Sequence, residues 1–133
     1  MKKMIVTILV LLFLYSQTAL AYDTGSGVIN VGRNCAMKCA EQGISRTLNY
    51  SYVYVKANSV YPLSSGVTDD YTKCRTRIYY NGHAISDTVV LTETINRKVY
   101  INEGYLSSPS FNLYFSGNNP DLAAGISYSY DGR

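Results

Sequence analysis

Apolar and polar residues alternate along most of the chain, which is the pattern of β-strands with one buried face. The stretch LNYSYVYVKA, residues 48–57, is typical. In it Val53 and Val55 fall on one side, and Tyr52 and Tyr54 fall on the other. Turn-forming Gly, Pro, Asn and Ser separate this run from further runs of the same kind, as in an all-β domain. We therefore predict that the aliphatic sides meet in a core.

The predicted elements together indicate an all-β fold. We expect a small antiparallel β-sandwich, or a partly open barrel, of about six to seven strands with one short N-terminal helix. The predicted strands are Val28–Val31, Thr47–Ala57, Thr72–Tyr80, the arm that follows Asn81-Gly82, Lys98–Asn102, Phe111–Phe115 and Gly125–Tyr130.

The dipeptide Asn81-Gly82 is the strongest turn signal in the chain, because a two-residue type I′ hairpin needs a positive φ at both positions. This turn predicts a register that sends the aliphatic residues of both arms to the core and leaves Arg75, Arg77 and Tyr79 on the opposite side. The predicted pairs are Tyr80 with His83, Ile78 with Ile85, Thr76 with Asp87 and Cys74 with Val89.

A short helix is predicted before the first long strand. Asn34 is a favourable N-cap residue and Gly43 a favourable helix stop. Cys35 and Cys39 would then lie on one face of the helix, since residues four apart are neighbours on its surface.

The three cysteines, Cys35, Cys39 and Cys74, predict one disulfide, because pairing is the usual state in exported proteins. In the chain-entropy description, a bridge between Cys35 and Cys39 is worth about 2 kcal/mol, whereas a bridge to Cys74 closes a longer loop and is worth about 4 kcal/mol. We therefore expect Cys74 to pair with Cys35 or Cys39. The remaining thiol is either buried or forms a disulfide-linked homodimer.

Residues 1–21 have the layout of a secretory signal peptide. Lys2 and Lys3 precede the apolar run IVTILVLLFLY, and Ala19-Leu20-Ala21 supplies a small-x-small cleavage site. A retained membrane anchor is the alternative, but spanning a bilayer takes about 20 apolar residues. We predict that residues 22–133 form a single secreted β domain, extracellular or periplasmic, with no stable membrane insertion after cleavage.

Charge gives no support to a nucleic-acid partner. The chain has 12 Lys and Arg against 9 Asp and Glu, and Lys2 and Lys3 leave with the predicted signal, so that ten basic residues remain against nine acidic ones. A nucleic-acid binder needs a strong basic patch or stripe. We therefore expect no nucleic-acid binding.

Tyrosine is the most unusual part of the composition, with 14 in the chain. On most predicted strands the tyrosines lie opposite the aliphatic side, where the hydroxyl reaches water. In the last strand Ile126, Tyr128 and Tyr130 share one side, and we expect those two rings to point inward. The outward set, with its basic neighbours, is a hypothetical binding face: Tyr50, Tyr52, Tyr54, Lys56, Arg75, Arg77, Tyr79, Tyr100 and Tyr114.

Residues suited to catalysis are scarce. His83 is the single histidine and lies beside the predicted turn. No Gly-x-Ser-x-Gly elbow accompanies it, and three cysteines with one distant histidine have no metal-binding spacing. We predict that the protein is not an enzyme and has no metal site and no cofactor.

Three functional hypotheses follow. The first is a bacterial binding or envelope-associated module whose Tyr/Arg face contacts a cell-envelope glycan or a surface protein, since both residue types are enriched at binding hot spots. Cross-strand packing of the rings would produce the same pattern without a partner. The second is a secreted bacteriocin-like or toxin-like effector. The third is a structural subunit that self-assembles through its strand edges or its spare thiol.

Overall fold

The computed structural model describes residues 22–63 and 71–133. The predicted signal peptide and residues 64–70 lie outside these ranges. Two antiparallel sheets pack face to face around one core, so the predictions of an all-β fold and of an antiparallel β-sandwich are confirmed. In the described part of the chain, no helix has the length and apolarity needed to cross a membrane.

Within the described residues nine strands form the sandwich, more than the sequence predicts, and one short 3-10 helix spans Glu103–Tyr105. The additional strands come from the segment predicted as a helix and from the hairpin arm, which divides in two. The strands are β1 (Thr24–Val31), β2 (Lys38–Ser45), β3 (Tyr52–Pro62), β4 (Lys73–Tyr80), β5 (His83–Ala84), β6 (Val89–Thr92), β7 (Asn96–Tyr100), β8 (Ser110–Gly117) and β9 (Ala124–Asp131).

The two sheets differ in strand order. The four-stranded sheet has the order β1-β9-β3-β7, with β3 and β9 in its centre. The five-stranded sheet has the order β2-β8-β4, and both β5 and β6 pair with the far edge of β4. Strands that are distant in sequence therefore pair in both sheets, and the predicted outward residues are divided between them.

The core consists of the alternating sides that the sequence predicts. Val53 and Val55 of β3 are fully buried, as are Phe111, Leu113 and Phe115 of β8. Burial of such side chains is the main driving force for folding, at about 25 cal/mol per Å² of apolar surface removed from water.

The inward orientation predicted for the last strand is confirmed. Tyr128 is buried, and Tyr130 packs against the same core. The ring centroids of Tyr128 and Phe115 lie 4.8 Å apart across the two sheets. Room for Tyr128 comes from Gly27 on the neighbouring strand β1, because a Cβ atom there would stand 2.5 Å from the Tyr128 hydroxyl.

The predicted helix over residues 34–43 is wrong: the segment turns and then forms strand β2. Asn34 and Cys35 adopt φ values of 68° and 52°, in the left-handed region that a helical start does not use. Gly43 does have the expected positive φ, at 65°, but within a strand irregularity where its N–H donates to the Asn112 side chain at 2.9 Å. Pairing with the open edge of β8 and burial of Ile44 outweigh the local helix signals.

The predicted hairpin turn is confirmed, but its register holds only near the turn. Asn81 and Gly82 have φ values of 49° and 77°, and Tyr80 pairs with His83. The chain then leaves the ladder at Ser86, whose hydroxyl accepts a hydrogen bond from the Ile78 N–H at 3.1 Å.

Pairing with β4 resumes two residues later than predicted. Thr76 pairs with Val89 and Cys74 with Leu91, not with Asp87 and Val89. A shift of two residues keeps every side chain on its original face, which explains why the buried face was predicted correctly in spite of the wrong pairs.

All three cysteines are free, so the expected bridge from Cys74 is not formed in this structure. Cys74 is fully buried in the core, whereas Cys39 pairs with the outward residue Tyr114 on the other side of the same sheet. A sheet stands between these two thiols. Cys35 lies in the turn before β2 and is partly exposed.

Candidate functional site

The nine residues of the predicted binding face are divided between the two outer surfaces of the sandwich. The outer side of the four-stranded sheet, which we call the tyrosine face, carries Tyr50, Tyr52, Tyr54, Lys56 and Tyr100. The outer side of the five-stranded sheet carries Arg75, Arg77, Tyr79 and Tyr114. Since the core lies between the sheets, these are two separate candidate sites.

Strand β3 positions the centre of the tyrosine face. Tyr52 lies directly opposite Tyr100 of β7, and Tyr54 lies opposite Lys98 of the same strand. On its other side Tyr54 pairs with Asp131 of β9. Because β3 has a neighbour on both edges, its outward residues stand on a rigid support.

The rings of the tyrosine face contact one another in a continuous cluster. Tyr52 is its centre, with ring centroids 5.4 Å from Tyr50, 5.4 Å from Tyr54 and 5.6 Å from Tyr100. Tyr54 and Tyr100 meet Tyr52 edge to face, an arrangement that aromatic pairs favour. Tyr100 is 59% exposed and Tyr50 is 47% exposed, so the outer members of the cluster offer much of their surface to solvent.

Two cations on the tyrosine face already have partners. Lys98 Nζ lies 4.4 Å from the centroid of the Tyr52 ring and 6.0 Å from that of Tyr54, within cation–π range. Interaction with Tyr52 and then Tyr54 raises the pKa of Lys98. Arg133 binds the Asp131 carboxylate through Nη2 at 2.8 Å and Nε at 3.2 Å.

A shallow concavity of about 440 Å³ opens on this face. Aromatic rings border one part of it, and amide, carboxylate and guanidinium groups border the rest. Such a combination is typical of ligand sites, which pair apolar surface with a few directional polar groups. The lining residues are Tyr50, Tyr52, Tyr54, Asn96, Asp131 and Arg133.

Arg46, which the sequence analysis missed, holds the loop that carries Tyr50. Its side chain is buried and donates to the carbonyls of Ser108 at 2.7 Å, Thr47 at 3.1 Å, Tyr50 at 2.9 Å and Leu106. Burial lowers its pKa. Within the described residues no carboxylate pairs with this guanidinium, so backbone carbonyls alone compensate its charge. An isolated Arg in a polar stretch gives no sequence signal of such a role.

The outer side of the five-stranded sheet carries a row of cations. Lys73, Arg75 and Arg77 alternate along β4 and share one face, which we call the basic stripe. The two arginines belong to the predicted binding face, and Lys73 extends it by the same K-x-R-x-R spacing on β4.

Tyr79 and Tyr114 lie at one end of the basic stripe and pack closely. Their ring centroids are 4.3 Å apart, and the Arg77 guanidinium stands 5.9 Å from the Tyr79 ring. These rings are partly covered by each other and by the arginine, unlike Tyr50 and Tyr100, the exposed rings of the tyrosine face. They are therefore best described as cross-strand packing.

His83 is exposed beside a second cavity of about 330 Å³. Tyr80, Tyr105 and two serines are among its lining residues, and no carboxylate or cysteine of the described chain borders it. Residues 22–63 and 71–133 also contain no group of three potential metal ligands.

No known protein family matches this chain, and no curated protein or solved structure matches it either. The functional proposal therefore rests on the sequence and structure of this chain alone.

Proposed function

We propose that this chain is a secreted, non-enzymatic protein that binds a cell-envelope glycan through the tyrosine face. The observation that carries the proposal is the four-ring cluster of Tyr50, Tyr52, Tyr54 and Tyr100 beside a concavity with a polar border.

The chemistry of the face fits a sugar ring. One side of a pyranose is rich in C–H groups and stacks on an aromatic ring, while its hydroxyls need hydrogen-bonding partners at the edge. The phenol rings supply the first kind of surface. Asn96, Asp131 and Arg133 supply donors and acceptors next to them.

Exposure argues for recognition beyond simple packing. Rings that serve only to cover a sheet lose most of their accessible surface to neighbours, yet Tyr50 and Tyr100 keep about half of theirs. Arg46 adds a second argument, because desolvating a guanidinium is costly and here it fixes the backbone of Tyr50.

A neutral glycan suits this face best. Lys98 is held over two rings and Arg133 is paired with Asp131, so of the cations named on this face only Lys56 has no partner among the described residues. Binding through stacking and neutral hydrogen bonds should depend weakly on salt, whereas binding through ion pairs is screened.

The test is co-sedimentation of the protein, purified after expression of the full chain, with whole cells and with the neutral fraction of isolated envelope polysaccharide. The Tyr52→Ser/Tyr54→Ser variant should lose binding by about tenfold or more, since stacked aromatic contacts are worth about 1 kcal/mol or more each. The Tyr79→Ser/Tyr114→Ser variant removes the same atoms from the opposite sheet and should bind like the wild type.

A conservative variant separates the two kinds of contact. Tyr52→Phe/Tyr54→Phe keeps the rings and should retain most of the binding if stacking dominates. All variants are compared by circular dichroism to show that they are folded. Equal losses in both serine variants, or no sedimentation of the wild type with either material, would overturn the proposal.

A further inference from the structure

The basic stripe on the five-stranded sheet is a second candidate site, independent of the tyrosine face. Lys73, Arg75 and Arg77 stand at alternate positions of β4 and point away from the core. At a rise of about 3.3 Å per residue, the three cations form a line about 13 Å long.

The neighbours of the stripe leave its charge uncompensated. Across the adjacent strands Lys73 faces Thr92, Arg75 faces Val90 and Ser116, and Arg77 faces Tyr114. Among the residues that the structure describes, the single ion pair is that of Arg133 with Asp131, on the other sheet. Like charges this close together on a sheet face repel one another, and no carboxylate of the described residues offsets that repulsion.

Hydrogen bonds orient the two guanidinium groups through one nitrogen each. Arg75 Nε donates to the Asn118 side chain at 3.2 Å, and Arg77 Nε donates to the Ser86 carbonyl at 2.9 Å. Within the described residues, the terminal Nη nitrogens of Arg75 and Arg77 donate no hydrogen bond. A guanidinium held in this way presents its remaining N–H groups as a preformed fork for a carboxylate or a phosphate.

From this arrangement we propose that the basic stripe binds a linear acidic glycopolymer, one that carries carboxylate or phosphate groups along a carbohydrate or polyol chain. A line of cations on a strand matches a polymer with regularly repeated anions better than it matches a single small anion. Three cations on a domain of nearly balanced charge are few for a nucleic-acid surface, which is typically far more basic.

Binding is measured by fluorescence anisotropy with labelled polygalacturonate, for carboxylates, and labelled poly(glycerol phosphate), for phosphates. The protein purified from the full chain should bind at least one of them at low salt, and the affinity should fall as salt rises. The polymer that binds identifies the anion. Labelled dextran, polyglutamate and duplex DNA are the comparison probes.

Matched variants locate the site. Lys73→Gln/Arg75→Gln removes two charges from the stripe and should weaken binding by about tenfold, while Arg33→Gln/Arg97→Gln removes two exposed charges elsewhere and should change it by less than about twofold. Arg75→Lys/Arg77→Lys keeps the charge but removes the forks, so an intermediate loss is expected. Lys73→Gln alone serves if the double variant does not fold, because Lys73 is exposed.

Several results would overturn the proposal. These are no binding of either acidic polymer, equal losses in the two charge-matched glutamine variants, or equally tight binding of polyglutamate or duplex DNA, which would show a response to charge alone or a different class of partner. Tyr52→Ser/Tyr54→Ser should bind the acidic polymer normally, so failure of this site is distinguishable from failure of the tyrosine face.

Discussion

The tyrosine face and the basic stripe contain similar residues on opposite sides of one sandwich, but the cations on the two surfaces have different neighbours. On the tyrosine face, Lys98 lies against two rings and Arg133 against Asp131. On the basic stripe the cations have only neutral neighbours within the described chain, and the tyrosines pack tightly together. On the tyrosine face Tyr50 and Tyr100 are exposed, and Lys56 is the one named cation without a partner among the described residues. On the basic stripe none of the three cations forms an ion pair with a described residue, although Arg77 also lies 5.9 Å from the Tyr79 ring.

This difference indicates what each surface can recognise. Open rings with engaged cations favour a neutral ligand, and open cations with packed rings favour an anion. The pattern of outward Tyr, Arg and Lys in the sequence is the same for both. The proposed recognition by each face therefore depends on which strand lies next to which, that is, on the topology.

The largest effect is expected from removing the buried guanidinium beneath the tyrosine face. Arg46→Ala should lower the free energy of unfolding by about 3 kcal/mol, because several buried carbonyls lose their donor. Urea unfolding measures the change. The same variant should weaken glycan binding through Tyr50 and leave binding at the basic stripe unchanged. A loss of stability below about 1 kcal/mol would show that water replaces the guanidinium.

A smaller loss of stability is expected from a substitution that crowds the inward-pointing ring of Tyr128. In Gly27→Ala the new methyl group collides with Tyr128, whose hydroxyl donates to Glu41 at 2.8 Å, so the ring must move and lose that bond. We expect a loss of about 1–3 kcal/mol.

Gly32→Ala is the matched control, since a Cβ atom added at Gly32 would have no neighbour within 4 Å. Its effect should stay within about 0.5 kcal/mol. Equal effects of the two substitutions in thermal unfolding would show that Tyr128 is not held as described. Neither substitution touches the outward rings, so the comparison separates structural from recognising tyrosines.

Alkaline pH should destabilise the core, which lies between the two faces. Burial, followed by the Glu93 charge, raises the pKa of Cys74 from 9.0 to about 12. Burial also raises the pKa of Tyr71, Tyr128 and Tyr130. Since the folded protein favours the neutral forms, stability is fully present below pH 9 and declines as the pH rises toward 12.

For Cys74 alone the loss is about 1.4 kcal/mol per pH unit in that window. Urea unfolding at pH 8 and pH 10 measures it, and Cys74→Ala should show a shallower decline. Stability that is unchanged over this window would contradict the buried, protonated state of these groups.

The smallest expected difference distinguishes the two sets of outward rings. Tyr79→Ala breaks the close pair with Tyr114 and should cost about 1 kcal/mol. Tyr100→Ala removes a more exposed ring and should cost less than about 0.5 kcal/mol. Tyr100→Ala should nevertheless weaken glycan binding more than Tyr79→Ala does. The opposite order in the binding assay would identify the tyrosine face as mere packing.

Local signals predicted much of the fold. The alternation in residues 52–57, the turn at Asn81-Gly82 and the inward position of Tyr128 all follow from strand geometry and turn chemistry. The segment after Asn34 was mispredicted because its caps fit a helix equally well, and the decisive contact, the open edge of β8, is far away in sequence.

The candidate sites were less predictable than the fold. Outward residues were identified strand by strand, but their division between two surfaces requires the strand order. Arg46 and Ser86 act through distant backbone groups, Arg46 on Ser108 and Ser86 on Ile78, which no local pattern indicates. Lys73 could have been found from its spacing with Arg75.

The most direct test of the account is whether both faces can be occupied at once. The protein is bound to insoluble, neutral envelope polysaccharide, and labelled acidic polymer is then added at low salt. The account predicts that the acidic polymer is captured on the solid phase without releasing the protein, and that Lys73→Gln/Arg75→Gln abolishes this capture. Release of the protein by the acidic polymer would show one shared site and would contradict two independent faces.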